Sequence, residues 1–242
     1  MAHTAGWVAI LQVDPDLAQR LPEATLTAAA PVALAPTEWL EPGEWQPPVP
    51  AVADRPSHMG LLIIEGFVAR RVQVLDRPVT ELLGQGDLLV PWEPDRTEPF
   101  GAGARWEVLE PARVGVLDRR VTAILSRWPD ITVALLARAI SRSRSFALNL
   151  AVGQLTGIEL RLQVMLWHLA ARWGSGPDGD SVIPVRLTHQ LLASLISAQR
   201  PTVTRALARL TDEGLVSRRD DGLLVVHGEP PRQFRRLRDE LA

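Results

Sequence analysis

Apolar and polar positions between residues 59 and 118 alternate in short bursts. Residues 61–64 are a continuous apolar run, residues 67–75 alternate apolar and polar, and residues 79–83 and 88–90 repeat the theme. Residues 76–78 and the Gly84-Gln85-Gly86-Asp87 segment read as turns, and a further pair at 105–109 and 114–117 is split by Glu110-Pro111. Short strands at this spacing predict an antiparallel sandwich or roll. Residues 1–58 carry nine prolines among short apolar pieces, a pattern that fits edge strands with turns as well as a partly ordered extension.

The period then changes from two to 3.6. A short helix is expected over 119–127, and Asp130 is a candidate N-cap for a long one. No Gly or Pro interrupts residues 131–152, where Leu136, Ala139, Ser143, Phe146 and Leu150 recur at 3-4-3-4 spacing, the seam of a coiled-coil dimer or of packing within one domain. Another helix is expected over 159–173, stopped by Gly174-Ser175-Gly176-Pro177. The last unit reads as a strand (182–187), a helix capped by Thr188 and running to about 196, a Ser197-Ala198-Gln199 turn and a helix over 200–213 ended by Gly214. A β-hairpin follows, with strands at 215–219 and 223–227.

In the helical pair, Leu191, Leu192, Leu195, Ile196, Val203, Ala206, Leu207 and Leu210 form a candidate core. That leaves Gln199, Arg200, Pro201, Thr202, Thr204, Arg205 and Arg209 outward, with no acidic residue before Asp212. A solvated helix ordinarily mixes Glu with Arg; this one suits an anionic groove. Arginine can donate two hydrogen bonds to a guanine edge, whereas hydroxyls and helix N-termini hold phosphates. Arg218 and Arg219 on the hairpin can reach a neighbouring phosphate. A helical hairpin with an Arg-rich solvated face is the alternative.

Charge adds to this picture. The net charge of −2 divides into 11 Arg against 17 Asp/Glu in residues 1–127, and 15 Arg against 11 Asp/Glu in residues 128–242, so an acidic front half precedes a basic back half. All basic residues are Arg, and there is no Cys, which excludes disulfides and thiolate metal sites. The five His show no metal-ligand spacing, no cofactor or metal is expected, and a cupin-like metalloenzyme on the roll is a weaker alternative. No apolar run is long enough to span a membrane, and the first residues lack a basic n-region and long apolar h-region, so a cytoplasmic location is expected.

The segment LTHQLLASLISAQRPTVTRALARLTDEGLV, residues 187–216, resembles the winged helix-turn-helix of the Crp–Fnr family of bacterial transcription regulators. The resemblance extends back through Pro129-Asp130-Ile131 to Leu83-Gly-Gln-Gly-Asp87, covering roughly residues 59–228. It implies an α+β chain: a cyclic-nucleotide-binding-like β-roll (1–127), a long dimerisation helix (128–155), a winged helix-turn-helix (156–228) and a tail (229–242). It implies no catalysis. The expected partners are a palindromic double-stranded DNA operator, a second copy of the chain, RNA polymerase as a further candidate, and a small-molecule effector of unknown identity.

By the same resemblance Arg200 and Arg205 fall at base-reading positions, and Thr188, Gln190, Gln199 and Thr202 at phosphate-contacting ones; the outward residues add Thr204 as a candidate base reader and Arg209, Arg218 and Arg219 as candidate phosphate-positioning groups. Pro201 stands where an acidic base-reader is familiar, and Ser197 where Gly is usual. The cassette that holds a cyclic nucleotide is missing. Gly86-Asp87-Leu88-Leu89 runs into Val90-Pro91-Trp92-Glu93, Ala102-Gly103 occupies the Arg-Ser location, and Phe146-Ala147 replaces two hydroxyl residues. Classical cyclic-AMP binding is therefore not expected, although Glu93 with Arg96 or Arg105 offers a non-standard cassette. Trp92, Trp106 and Phe146 are candidate lining of an apolar effector pocket.

Overall fold

The computed structural model describes residues 3–19, 21–48, 58–74, 77–91, 102–177 and 179–231, which form two compact units, Met1–Leu148 and Asn149–Ala242. The first unit runs β1 (His3–Ala9), α1 (Ile10–Val13), α2 (Pro15–Gln19), α3 (Glu23–Ala29), β2 (Leu34–Leu40), β3 (Gly43–Trp45), β4 (Gly60–Glu65), β5 (Val68–Val74), β6 (Arg77–Leu83), β7 (Leu88–Leu89), β8 (Ala102–Val108), β9 (Ala112–Leu117) and α4 (Arg119–Leu125). It continues into the long helix α5 (Pro129–Gln154).

Its strands make two antiparallel sheets, β1-β2-β9-β4-β7 and β3-β8-β5-β6. The apolar run in β4 has a simple cause. Successive side chains point to opposite faces: Leu61 and Ile63 join the cluster with Val68, Leu83, Leu89 and Val114, whereas Leu62 joins one built from helices α1 to α5. Both faces of this strand are buried. The choice left open for residues 1–58 goes to ordered structure over much of that stretch. β1 and β2 extend the first sheet, and Ile10, Leu11, Leu17, Leu21 and Ala29 supply its helical core. Arg77 and Pro78, expected in a turn, begin β6 and pair with Val74 and Gln73.

Asp118 caps α4, its Oδ1 accepting from the backbone N–H groups of Arg120 and Val121 at 2.9 Å each. The N-cap expectation for Asp130 is corrected. Pro129 is already helical, as suits a residue whose missing N–H would be unsatisfied there. Asp130 sits in the first turn and accepts from Thr25 Oγ1 at 2.9 Å.

The second unit contains α6 (Ile158–Trp173), β10 (Asp180–Val182), α7 (His189–Leu195), α8 (Arg200–Asp212), β11 (Val216–Arg218) and β12 (Leu224–His227). Three helices pack beside a sheet of order β10-β12-β11. The strand expected over 182–187 is shorter, because Pro184 has no N–H for a ladder and Val185 N–H turns back to Ile183 O at 2.9 Å. Ile183, Val185 and Leu187 are buried all the same.

Candidate nucleic-acid interface and sensor cavity

The helix-turn-helix is built by local chemistry. Thr188 Oγ1 accepts from Leu191 N–H at 3.1 Å and starts α7. The turn needs a left-handed residue, and Ser197 takes φ +53° there, the one non-glycine among the described residues with positive φ. Gln199 precedes α8 without a side-chain cap bond, Pro201 lies in its first turn, and Gly214, at φ +69°, follows its end. Leu191, Leu192, Leu195, Ile196, Val203, Ala206, Leu207 and Leu210 are all buried, as expected, with Leu162, Met165, Leu166 and Leu169 of α6 also buried.

The outward side of α8 presents Arg200, Pro201, Thr204, Arg205, Ala208 and Arg209, all exposed, with Thr202 half-buried. Thr188, Gln190 and Gln199 are exposed as well. Several expected contact groups are held within the unit. Arg209 Nη1 meets Glu159 Oε1 at 2.6 Å, Arg218 Nη1 donates to Gly222 O at 2.7 Å, and Arg219 Nη2 lies 3.0 Å from Asp221 Oδ2. A cleft of about 500 Å³ opens between the start of α7 and the hairpin turn, bordered by Arg186, Thr188, His189, Arg218, Asp220 and Asp221. Beneath the hairpin, His227 braces the sheet, with Nδ1 2.7 Å from Asp180 Oδ1 and Nε2 2.7 Å from Ser217 Oγ.

In the first unit, strand register sets Arg70 opposite both Glu81 and Trp106. Glu81 is 1% exposed. Arg70 Nη2 contacts its Oε2 at 2.7 Å, and Arg142 of α5 grips both carboxylate oxygens at 3.1 and 3.2 Å while donating to Leu88 O. The Arg70 guanidinium lies 5.7 Å from the Trp106 ring centre and 5.6 Å from that of Phe146. Burial pulls Arg70 below its ordinary pKa, with Glu81 opposing the shift and Arg142 adding to it. Arg70, Glu81, Arg142 and Phe146, with Leu88, Val90, Ala139 and Ser143, line a cavity of about 330 Å³.

One helical turn earlier, Arg138 donates to Asp14 Oδ1 at 2.5 Å and to Gly86 O at 2.7 Å. The approach is close enough that a Cβ on Gly86 would stand 2.3 Å from Arg138 Nη1.

This differs from the apolar pocket expected. Phe146 lines the cavity, Trp106 is buried behind Arg70 against Trp45, and Trp92 lies outside the described residues, as do Glu93 and Arg96. Arg105 is exposed. Sequence patterning missed the Arg70–Glu81–Arg142 cluster, and the only available signal was charge at strand positions that alternation turns inward. Of the expected seam, Leu136 and Leu150 are exposed, while Ala139, Ser143 and Phe146 border the cavity. Val133, Ile140 and Leu148 share the exposure of Leu136. Among the described residues, no three His, Cys, Asp or Glu side chains gather as a metal site, and no helix is long and apolar enough to cross a membrane.

The family described as the Crp-like helix-turn-helix domain matches residues 160–229. A relative, the CRP-like cAMP-activated global transcriptional regulator of Mycobacterium tuberculosis, is 33% identical over 110 residues, 46% of this chain and 48% of that protein. The match thus spans about half the length of that relative. Among solved structures, a cyclic nucleotide-binding domain containing protein from Listeria monocytogenes has TM-score 0.63 at 14% identity, covering 90% of this chain and 98% of that one. FixK2 from Bradyrhizobium japonicum has TM-score 0.58 at 16% identity, covering 79% and 92%. These two likenesses concern the fold.

Proposed function

We propose that this chain, a Crp–Fnr family protein by its helix-turn-helix domain and its fold, is a cytoplasmic, non-enzymatic transcription regulator that binds a two-fold DNA operator as a homodimer. The observation that carries the reading is the exposed face of α8: three arginines and short hydroxyls on a packed helix-turn-helix, with no acidic residue before Asp212. Arg200, Arg205 and Thr204 read base edges. Thr188, Gln190, Gln199, Thr202, Arg209, Arg218 and Arg219 position the phosphate backbone. The ion pairs of Arg209 and Arg219 are solvent-exposed, so they are worth little and can be exchanged for phosphates.

Dimerisation uses the exposed apolar side of α5, where Val133, Leu136 and Ile140 follow one another at helical spacing. Residues 1–127 form the sensor, and the cavity they share with α5 takes an effector. The relative named for cAMP activation makes cyclic nucleotides the first compounds to try. Here, however, both cavity arginines already hold Glu81, so classical cyclic-AMP gating is not part of the proposal. A thermal-shift series with cyclic nucleotides separates a non-standard cassette from another effector. RNA polymerase is the partner an activating role requires.

In vitro site selection is the direct test. The full chain should enrich a palindrome with half-sites about 34 Å apart, and its affinity should fall steeply with salt. Arg200→Ala/Arg205→Ala should lose specific binding by 100-fold or more, on the order of two lost base contacts. Unchanged affinity for the selected site in that variant would refute the assignment.

A further inference from the structure

His189 is the first residue of α7 and is half-buried at the border of the wing cleft. Its Nδ1 lies 2.8 Å from Thr204 Oγ1, joining the two helices of the motif. Thr204 Oγ1 also lies 3.0 Å from Arg200 O, one turn back, which can only accept from it. With the hydroxyl proton on that bond, Oγ1 accepts from His189, so Nδ1 carries the hydrogen and a neutral ring keeps its lone pair on Nε2. Among the described residues nothing bonds to Nε2. The ring is thus pinned by one nitrogen to the exposed face of α8, beside Arg200 and Arg205, with its second nitrogen available.

We propose that His189 is a specificity-determining residue of the DNA interface, held by Thr204 so that Nε2 accepts a hydrogen bond from the exocyclic amino group of adenine or cytosine. The inference rests on the DNA-binding reading above. The chemistry selects this partner. A neutral imidazole nitrogen that lacks hydrogen cannot bond a phosphate oxygen, whereas adenine N6 and cytosine N4 are the amino donors of the major groove. Arg200 and Arg205 bring donors only, suited to guanine. A pinned acceptor lets the same surface read a base that arginine cannot. Beside its place among the base readers, Thr204 then closes its own helix turn and fixes the tautomer of His189.

The experiment is site selection followed by quantitative binding at pH 8, using the full chain and two variants. His189→Asn keeps an amide N–H for Thr204 but has nothing at the place of Nε2. Thr204→Val removes the hydroxyl at an exposed position and frees the ring. Both should lose preference at one shared base pair of each half-site, an A·T or C·G pair, Thr204→Val losing in addition its own base contact proposed above. Discrimination there should drop about three- to tenfold, with the guanine positions unchanged and thermal unfolding unaltered. If both variants retain that preference, or lose affinity equally for all sequences, the inference is overturned, the latter result marking a framework role. If the wild-type chain selects no sequence, the DNA-binding reading itself fails and this one falls with it.

Discussion

Glu81 is 1% exposed and meets two arginines from different elements, Arg70 on β5 and Arg142 on α5. A second pair on the same sheet, Arg71–Glu107, sits in solvent with each side chain more than a third exposed. The two pairs are nearly identical in chemistry and opposite in consequence. Removing one partner of a buried pair strands the other charge away from water, whereas an exposed pair loses little. Glu81→Gln should therefore destabilise the chain by about 3 kcal/mol, and Glu107→Gln by about 0.5 kcal/mol or less, as read from urea denaturation midpoints. Equal losses would show that the cluster is not the buried ionic anchor described. Adjacent arginines at 70 and 71 are equivalent in composition, and only the face each takes in the sheet separates them.

At the scale of elements, α6 carries a polar group at odds with its surroundings. His168 Nε2 is buried without a hydrogen-bond partner, and burial, reinforced by Arg172, pushes the imidazole pKa down to about 4. The folded state thus holds the neutral ring, while an unfolded chain would protonate near pH 6.5. Stability is complete above that value. As pH falls from about 6.5 to 4, the unfolded chain binds a proton that the folded one refuses, and stability declines by up to about 3 kcal/mol before levelling off. Thermal melts across this window should show the decline, and His168→Gln should flatten it. A slope unaffected by that variant would assign the acid sensitivity elsewhere.

The helices were among the most legible elements, because a 3.6-residue period and its stop signals are local: α6, α7 and α8 lie close to their expected limits. The first 58 residues were not, because their strands find partners far along the chain, β2 pairing with β9. The N-terminus of α5 lies two residues earlier than an Asp130 cap implies, because the Trp128-Pro129-Asp130 segment offers two valid starts, and the contact that occupies Asp130 comes from Thr25.

At the scale of the molecule, the proposed dimer would rest on α5. Val133, Leu136 and Ile140 are 64%, 58% and 45% exposed, a run of apolar side chains that a solvated helix surface would not keep on one side. Arg138 and Arg142, on the other side, bind α5 to the strands and N-terminal helices of its own unit. A Leu136→Glu/Ile140→Glu chain should sediment as a monomer at micromolar concentration where the parent is dimeric, and should lose most of its affinity for the palindrome while keeping its helical content. A dimeric double variant would place the interface on another surface.

Sequence alone determined the helix-turn-helix, down to Thr188 as a cap, Ser197 in the turn and the acid-free face of α8. Each of these depends on residues within a turn or two of one another. The expectation that the family's standard nucleotide cassette is missing also came from sequence alone, as a matter of which residue stands where. Tertiary structure decided how the cavity beside α5 is charged and which side chains meet across the helix-turn-helix. Glu81 and Arg142 are 61 positions apart, Asp14 and Arg138 124, and His189 and Thr204 15. Alternation along a strand or helix says that a side chain has one of two faces. Only the folded chain says what waits on the other side, and here it set buried charges in a pocket expected to be apolar and brought His189 against Thr204.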